Sequence, residues 1–282
     1  MKIIRTAAEW NPLWLKHLQN NELIGLVPTM GALHQGHLDL VKSSLQKTDA
    51  TLVSIFVNPT QFNNSEDFDK YPVTLDADLE KLKTAGVHYV FVPTVDTMYP
   101  TLPTMKIDFG NLEHVLEGEF RPGHFNGVGI VVSKLFHLIR PHLAFFGQKD
   151  LQQVAIIKRL VRDLSFELKL EIVPTRREPD GLAMSSRNLR LTARERADAL
   201  ILIRSLEKAK TELLSGKRWL EVLQEIRGDF SRISSARLEY FAMVNPENFE
   251  KQENYLAGEK SSICAAAYIG DVRLIDNLSI IP

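Results

Sequence analysis

Leu26-Val27-Pro28-Thr29-Met30-Gly31-Ala32-Leu33-His34-Gln35-Gly36-His37 is the segment from which the architecture can be read. It begins as the end of a short apolar run, crosses a glycine-bearing loop and enters a segment where Leu38, Val41 and Leu45 recur at helical spacing. Strand, loop and helix in that order form the repeating unit of an open α/β sheet. Such sheets bind ligands beyond the carboxyl ends of their strands. The start of the helix offers unpaired backbone N–H groups and a partial positive charge, which suit phosphate. Gly31 and Gly36 permit close backbone approach, and the His34 and His37 imidazoles can each donate to a phosphate oxygen or offset developing charge.

On either side of this segment, short runs at 23–27, 51–57, 87–92, 143–146 and 168–173 are rich in Val, Ile and Phe on consecutive positions. Strands covered on both faces look like this. Helical periodicity fills the intervals at 37–46, 75–84, 128–139 and 151–161, with Gly86 as a C-cap. This alternation predicts an α/β fold with a Rossmann-like, doubly wound parallel sheet over 1–176. The pattern changes near Pro179-Asp180-Gly181. Thr192 is placed to cap one long helix to about 214, with Ala199, Leu200, Ile203, Leu206 and Ala209 on its apolar stripe. A helix over 219–233 and strands at 238–244, 262–269 and 273–275 follow. Residues 177–282 are therefore expected to form a smaller α+β domain, serving as a lid.

Composition narrows the class. The 282 residues carry 34 Lys and Arg against 35 Asp and Glu, a formal charge of −1, with 44% hydrophobic residues. These values exclude a disordered, collagenous or coiled-coil chain and argue against nucleic acid as a partner. Cys264 stands alone, so neither an internal disulfide nor a Cys-rich zinc site is expected. No window approaches the roughly 18 apolar residues of a membrane span, and residues 1–14 lack a continuous apolar core. A cytoplasmic chain without membrane association is the expectation.

The loop at 30–37 is neither a Walker A loop nor a Gly-x-Gly-x-x-Gly fingerprint. Two histidines three apart could share a metal, but no third ligand is near in sequence, and an ordinary capped helix would also carry them. The surroundings weigh for nucleotide phosphate. His34-Gln35-Gly36-His37 matches the His-x-Gly-His signature of the nucleotidyltransferase superfamily, and the string from Val27 to His37 resembles the pantoate–β-alanine ligase family. Matching segments follow in order at 54–62, 117–125, 145–153, 177–188 and 270–277, so the resemblance runs from about 1 to 280.

That resemblance implies condensation of (R)-pantoate with β-alanine to pantothenate, at the expense of ATP and through a pantoyl-adenylate. A carboxylate becomes an acyl donor once AMP is its leaving group, and no protein nucleophile is needed. Positioning and charge stabilisation then carry the catalysis. The implied ATP residues of the first loop are Met30, Gly31, Ala32, Leu33, His34, Gln35, Gly36 and His37. Those of the later loops are Gly147, Gln148, Lys149, Asp150, Arg176, Met184, Ser185, Ser186 and Arg187. Within this set His34, His37, Lys149, Ser185, Ser186 and Arg187 are the expected catalytic groups. Ser185-Ser186-Arg187 resembles the superfamily's second phosphate loop. Asp150 can hold ribose hydroxyls or cap a helix.

Gln61 and Gln153 are the implied pantoate residues, with Gln61 also reaching β-alanine; an amide offers both a donor and an acceptor. Asn58, Arg121 and His124 are read as support. The resemblance gives His37 a proton-donor role, although charge stabilisation serves equally well. Magnesium is expected on the ATP phosphates without a protein-built metal site, and a homodimer is implied. Two positions depart from the family pattern: Gln148 replaces the usual Glu, and Arg176 stands where a small or apolar residue is usual. The competing functions are a nucleotidylyltransferase that stops after AMP transfer and a non-catalytic nucleotide-binding regulator.

Overall fold

A computed structural model of the chain describes residues 1–62, 68–69 and 71–280. Six strands, β1 (Lys2–Ile4), β2 (Ile24–Thr29), β3 (Ala50–Ile55), β4 (Tyr89–Phe91), β5 (Leu143–Gly147) and β6 (Lys169–Val173), form one parallel sheet in the order β1-β4-β3-β2-β5-β6. Every residue of β3 is buried, Thr51 and Ser54 included, as expected for a strand covered on both faces. The order reverses at β2. Successive strands run outward through β3 and β4 on one side and through β5 and β6 on the other, so the carboxyl ends of β2 and β5 flank the switch point.

The connecting helices are α1 (Ala7–Gln19), α2 (Gln35–Lys47), α3 (Leu75–Thr84), α4 (His124–Ile139) and α5 (Leu151–Asp163). Leu40 and Val41 of α2 and Leu82 of α3 share one apolar cluster with Val27, Val53, Val90 and Phe145 of the sheet. Gly86 has φ +84° just after α3, the left-handed conformation that ends a helix. Both α1 and β1 escape the sequence patterns. The strand is three residues long, and Pro12 interrupts the helical periodicity of α1. Trp10 anchors α1 instead: its ring is buried and its Nε1 donates to Ile139 O at 2.9 Å.

The chain divides into two compact units, Met1–Gln148 with Ile156–Pro174 and Lys149–Ala155 with Thr175–Pro282. The second contains an antiparallel sheet, β7 (Ala236–Val244), β8 (Ser262–Ile269) and β9 (Val272–Ser279), ordered β7-β8-β9. Helices α6 (Ala193–Asp198), α7 (Ile201–Leu214) and α8 (Trp219–Ser231) precede it. Leu206 and Ala209 of α7 and Val222 and Ile226 of α8 pack with Ala265 and Ala267 of β8 in one core.

Two expectations need correction here. The helix predicted from Thr192 to about 214 is two helices. Thr192 does cap, exchanging bonds with Glu195 in a capping box, but α6 ends at Asp198 and the chain turns at 199–200 before α7. No glycine or proline marks the break; Ala199 within the turn and Leu202 just after it are both buried in the core. The last strand also continues past Ile275 to Ser279, carrying Asp276 and Asn277 into the sheet with both side chains buried.

Candidate active site

The loop after β2 turns through two successive left-handed residues, Gly31 at φ +86° and Ala32 at φ +49°. An alanine there is strained, at roughly 1–2 kcal/mol, so something must hold it. Asp78 does. Its carboxylate accepts from Ala32 N and Leu33 N, both at 2.8 Å, and from Thr74 Oγ1 at 3.0 Å. Lys81 lies 3.8 Å from the same carboxylate and donates to Leu33 O at 2.6 Å. Asp78 is fully buried, so α3 functions as a staple for the loop. The sequence reading missed this residue. Its signal was there: position 78 falls on the apolar face of α3, between Leu75 and Leu82, where a carboxylate needs buried partners.

Two histidines open α2. His34 is the N-cap residue, and its Nδ1 accepts from Gly36 N at 3.2 Å. His37 Nδ1 in turn accepts from His34 N at 3.3 Å. The rings lie 4.0 Å apart, tilted by 35°. A ring nitrogen that accepts carries no proton, so in this arrangement the N–H of each ring is at Nε2. Each ring can thus donate from Nε2.

A second cluster lies in the same unit. Asn58, at the end of the β3 run, leads a short turn, Pro59–Gln61. Its Oδ1 accepts from Tyr99 Oη at 2.8 Å and from Thr60 Oγ1 at 3.0 Å. Its Nδ2 donates to Gln61 Oε1 at 3.2 Å and Gly127 O at 3.3 Å. With its Oε1 held by Asn58, the Gln61 amide donates from its NH2 to Met30 Sδ at 3.1 Å. Gln61 thus adjoins the β2 loop. His124 Nδ1 donates to Gln61 O at 2.8 Å, and its Nε2 accepts from Arg121 Nη1 at 3.1 Å. Arg121 is also 3.5 Å from Glu117. Burial raises the Tyr99 hydroxyl above its ordinary pKa, which keeps it a donor. Tyr99 is the second residue that sequence reading missed, because it stands 41 positions from Asn58.

The remaining candidates lie in the second unit, except Gly147 and Gln148 at the end of β5. Lys149 and Asp150 complete a turn into α5, with Lys149 Nζ 3.3 Å from Asp150 Oδ1 and Lys149 O accepting from Asn277 Nδ2 at 2.8 Å. Gln153 is half-buried in the first turn of α5. Residues 176–184 form a narrow hairpin, closed by Glu178 N to Leu182 O at 2.8 Å and Met184 N to Arg176 O at 2.9 Å. Arg176 meets Met184 through its carbonyl, a bond any residue type can make, and its side chain is exposed. Ser185 then caps the turn Ser186–Arg190, its Oγ accepting from Arg187 N at 3.3 Å. Asn188 Nδ2 donates back to Ala183 O at 3.0 Å, tying the Ser-Ser-Arg turn to its hairpin.

For a metal, the described residues offer Asp108, Glu113 and His114, with one ligand atom each within 4.8 Å of the others. None of the three belongs to the clusters above. Those clusters present N–H groups, hydroxyls, imidazoles and cations, a donor set for phosphate and carboxylate oxygens.

Comparison with known proteins agrees with this chemistry. The family model described as pantoate-beta-alanine ligase matches residues 2–279. A pantothenate synthetase of Bacteroides fragilis is 45% identical over 278 residues, covering 99% of this chain and 98% of that protein. The crystal structure of pantothenate synthetase from Thermus thermophilus superposes with a TM-score of 0.93 at 38% identity over 100% of both chains. A pantoate-beta-alanine ligase from Francisella tularensis, complexed with beta-gamma ATP and beta-alanine, gives 0.78 at 36% identity over 99% of this chain and 98% of that one.

Proposed function

The chain belongs to the pantoate–β-alanine ligase family, and on that basis we propose how its residues divide the work. The enzyme is a ligase that makes pantothenate from pantoate and β-alanine, with ATP as substrate. In the first step a pantoate carboxylate oxygen attacks the α-phosphorus and pyrophosphate leaves. In the second the neutral amine of β-alanine attacks the activated carbonyl carbon, the acyl C–O bond breaks, AMP departs and the amine nitrogen gives up a proton.

The observation that carries the assignment of roles is the reciprocal histidine cap on an Asp78-held loop. Met30 to Leu33 present the loop backbone to the nucleotide, and Gln35 and Gly36 add the first N–H groups of α2. His34 and His37 donate from Nε2 to phosphate oxygens, stabilising charge without transferring a proton. Gly147, Gln148 and Asp150 frame the nucleotide, with Asp150 on ribose hydroxyls. In the second unit Lys149, Ser185, Ser186 and Arg187 bind the oxygens on which charge grows as pyrophosphate departs. Arg176 and Met184 serve through the hairpin backbone. Gln61 offers its NH2 edge to pantoate and β-alanine, Gln153 a second amide to pantoate. Asn58, Arg121 and His124 hold Gln61 in place.

Magnesium fits as a passenger of the triphosphate: the loops supply donors for phosphate oxygens, while ATP and water supply the oxygens that a hard cation takes. Bound there, it would neutralise charge on the leaving pyrophosphate. No helix among the described residues is long and apolar enough to cross a membrane. A cytoplasmic homodimer without nucleic acid is part of the proposal, and light scattering at graded concentrations reads its oligomeric state.

The test of the whole reading follows AMP and pyrophosphate release from ATP and magnesium, adding pantoate and β-alanine separately and together. Pantothenate is expected only with both substrates. Pantoate alone is expected to release about one pyrophosphate per site, as a retained adenylate requires. Continuous AMP transfer without β-alanine consumption would favour the nucleotidylyltransferase reading, and nucleotide binding without turnover the regulator.

A further inference from the structure

Near the end of β9, two successive residues touch both segments of the second unit that were assigned to phosphate above. Asp276 accepts from Arg177 Nη1 at 2.7 Å and Nη2 at 3.0 Å, and from Asn277 N at 2.8 Å. Arg177 also donates to Gly181 O at 3.1 Å and Asn277 O at 3.3 Å. One guanidinium thereby fastens the 176–184 hairpin to β9 by a bidentate ion pair. Asn277 makes the other connection, with Nδ2 on Lys149 O at 2.8 Å. Arg177 lies 99 positions from Asp276, and Lys149 lies 128 from Asn277. Both strand residues are buried, at 4% and 5% exposure. The backbone between them is held in register with β8, Asp276 opposite Ala265 and Asn277 opposite Cys264.

We propose that Asp276 and Asn277 are positioning residues for adenylation. Neighbours on a strand face opposite sides, so a single dipeptide can give two loops one common reference. Lysine is a point charge on a flexible four-carbon stem; Asn277 fixes the root of that stem by holding the Lys149 carbonyl. Asp276, through Arg177, fixes the hairpin that runs directly into Ser185-Ser186-Arg187. Groups that stabilise transferring phosphate must sit within about 0.5 Å of the productive position, and a strand hydrogen-bonded along its length to β8 is a firmer reference than either loop. The inference rests on the assignment of Lys149 and Ser185 to Arg187 to phosphate. Ordinary structural roles for the same two residues would instead cost stability in every background alike.

The deciding experiment is a double-mutant cycle on single-turnover pyrophosphate release from ATP and pantoate, using the full-length enzyme. Asn277→Ala, Lys149→Ala and the double variant are compared, with melting temperature recorded for each. Asn277→Ala is expected to slow release by about 10- to 100-fold, the scale of a 1 Å misplacement, with pantoate KM unchanged. In the Lys149→Ala background the same substitution is expected to add nothing further. Multiplying effects in the double variant, or a wild-type rate for Asn277→Ala, would overturn the proposal. A wild-type rate for Lys149→Ala would instead overturn the phosphate assignment beneath it. Asp276→Asn in a Ser186→Ala background repeats the cycle for the second loop. Should that variant fail to fold, Arg177→Lys in the same background, which loses the bidentate pair and keeps the charge, decides the Asp276 half in its place.

Discussion

The residues expected to meet substrate depend on others that do not. Asp78 receives two backbone N–H groups from the strained loop. Asn in its place could accept one of them and would turn its own NH2 on the other. Asp78→Asn should cost about 1–3 kcal/mol for the orphaned donor, read by urea unfolding, and should slow pyrophosphate release because Gly31 to Leu33 lose their staple. An unchanged rate at reduced stability would confine Asp78 to folding. Tyr99→Phe removes one of three donors to Asn58 Oδ1, and Thr60 Oγ1 at 3.0 Å and Thr60 N at 3.4 Å remain. The expected loss is about 1 kcal/mol, seen as a rise of several-fold in pantoate KM with ATP KM unmoved. Equal shifts in both constants would argue against a role confined to Gln61.

At the scale of elements, Gly127 governs how closely α4 approaches the turn that carries Gln61. A Cβ built there would lie 2.2 Å from Thr60 O and 2.5 Å from Thr60 C. Backbone cannot yield cheaply at such distances, so Gly127→Ala must push the turn away, for about 1–3 kcal/mol of overpacking. The kinetic signature expected is a higher pantoate KM, because the bond from Asn58 Nδ2 to Gly127 O is displaced as well. Thr192→Ala is the contrasting case. It removes the capping box of α6 and should lower stability by about 1 kcal/mol with adenylation intact; a loss of activity would show that α6 does more than support the core.

For the molecule as a whole, acid sensitivity has a defined source in the parallel sheet. His88 Nδ1 accepts from Thr51 N at 3.0 Å, which only the uncharged ring can do. Burial, together with the neighbouring charges of His17 and the N-terminus, lowers its pKa from 6.5, against an opposing pull from Glu22. A lowered histidine stabilises the fold above the unfolded-state pKa. That contribution fades as pH falls through the folded value. Melting temperature should therefore drop between pH 7 and pH 5, and His88→Gln should flatten the drop. An unchanged slope would place the acid sensitivity in other groups.

Most strands of this sheet were legible because burial on both faces writes itself as consecutive Val, Ile and Phe, and the loop at 30–37 because its residue types already name a chemistry. Neither β1 nor α1 was legible: three residues carry no period, and Pro12 breaks the one that follows. The interruption between α6 and α7 had no local mark either. The alternating fold and the family could be read along the chain, and candidates for ATP and pantoate could be named there, since periodicity and side-chain chemistry are local properties. Which groups hold those residues in place became visible in three dimensions alone. Asp78 on its loop, Tyr99 on Asn58, and Asp276 with Asn277 on Arg177 and Lys149 are pairings across 41 to 128 positions. Pairings at that range arise when buried polar groups must find partners inside a packed core, a requirement that no single stretch of sequence displays.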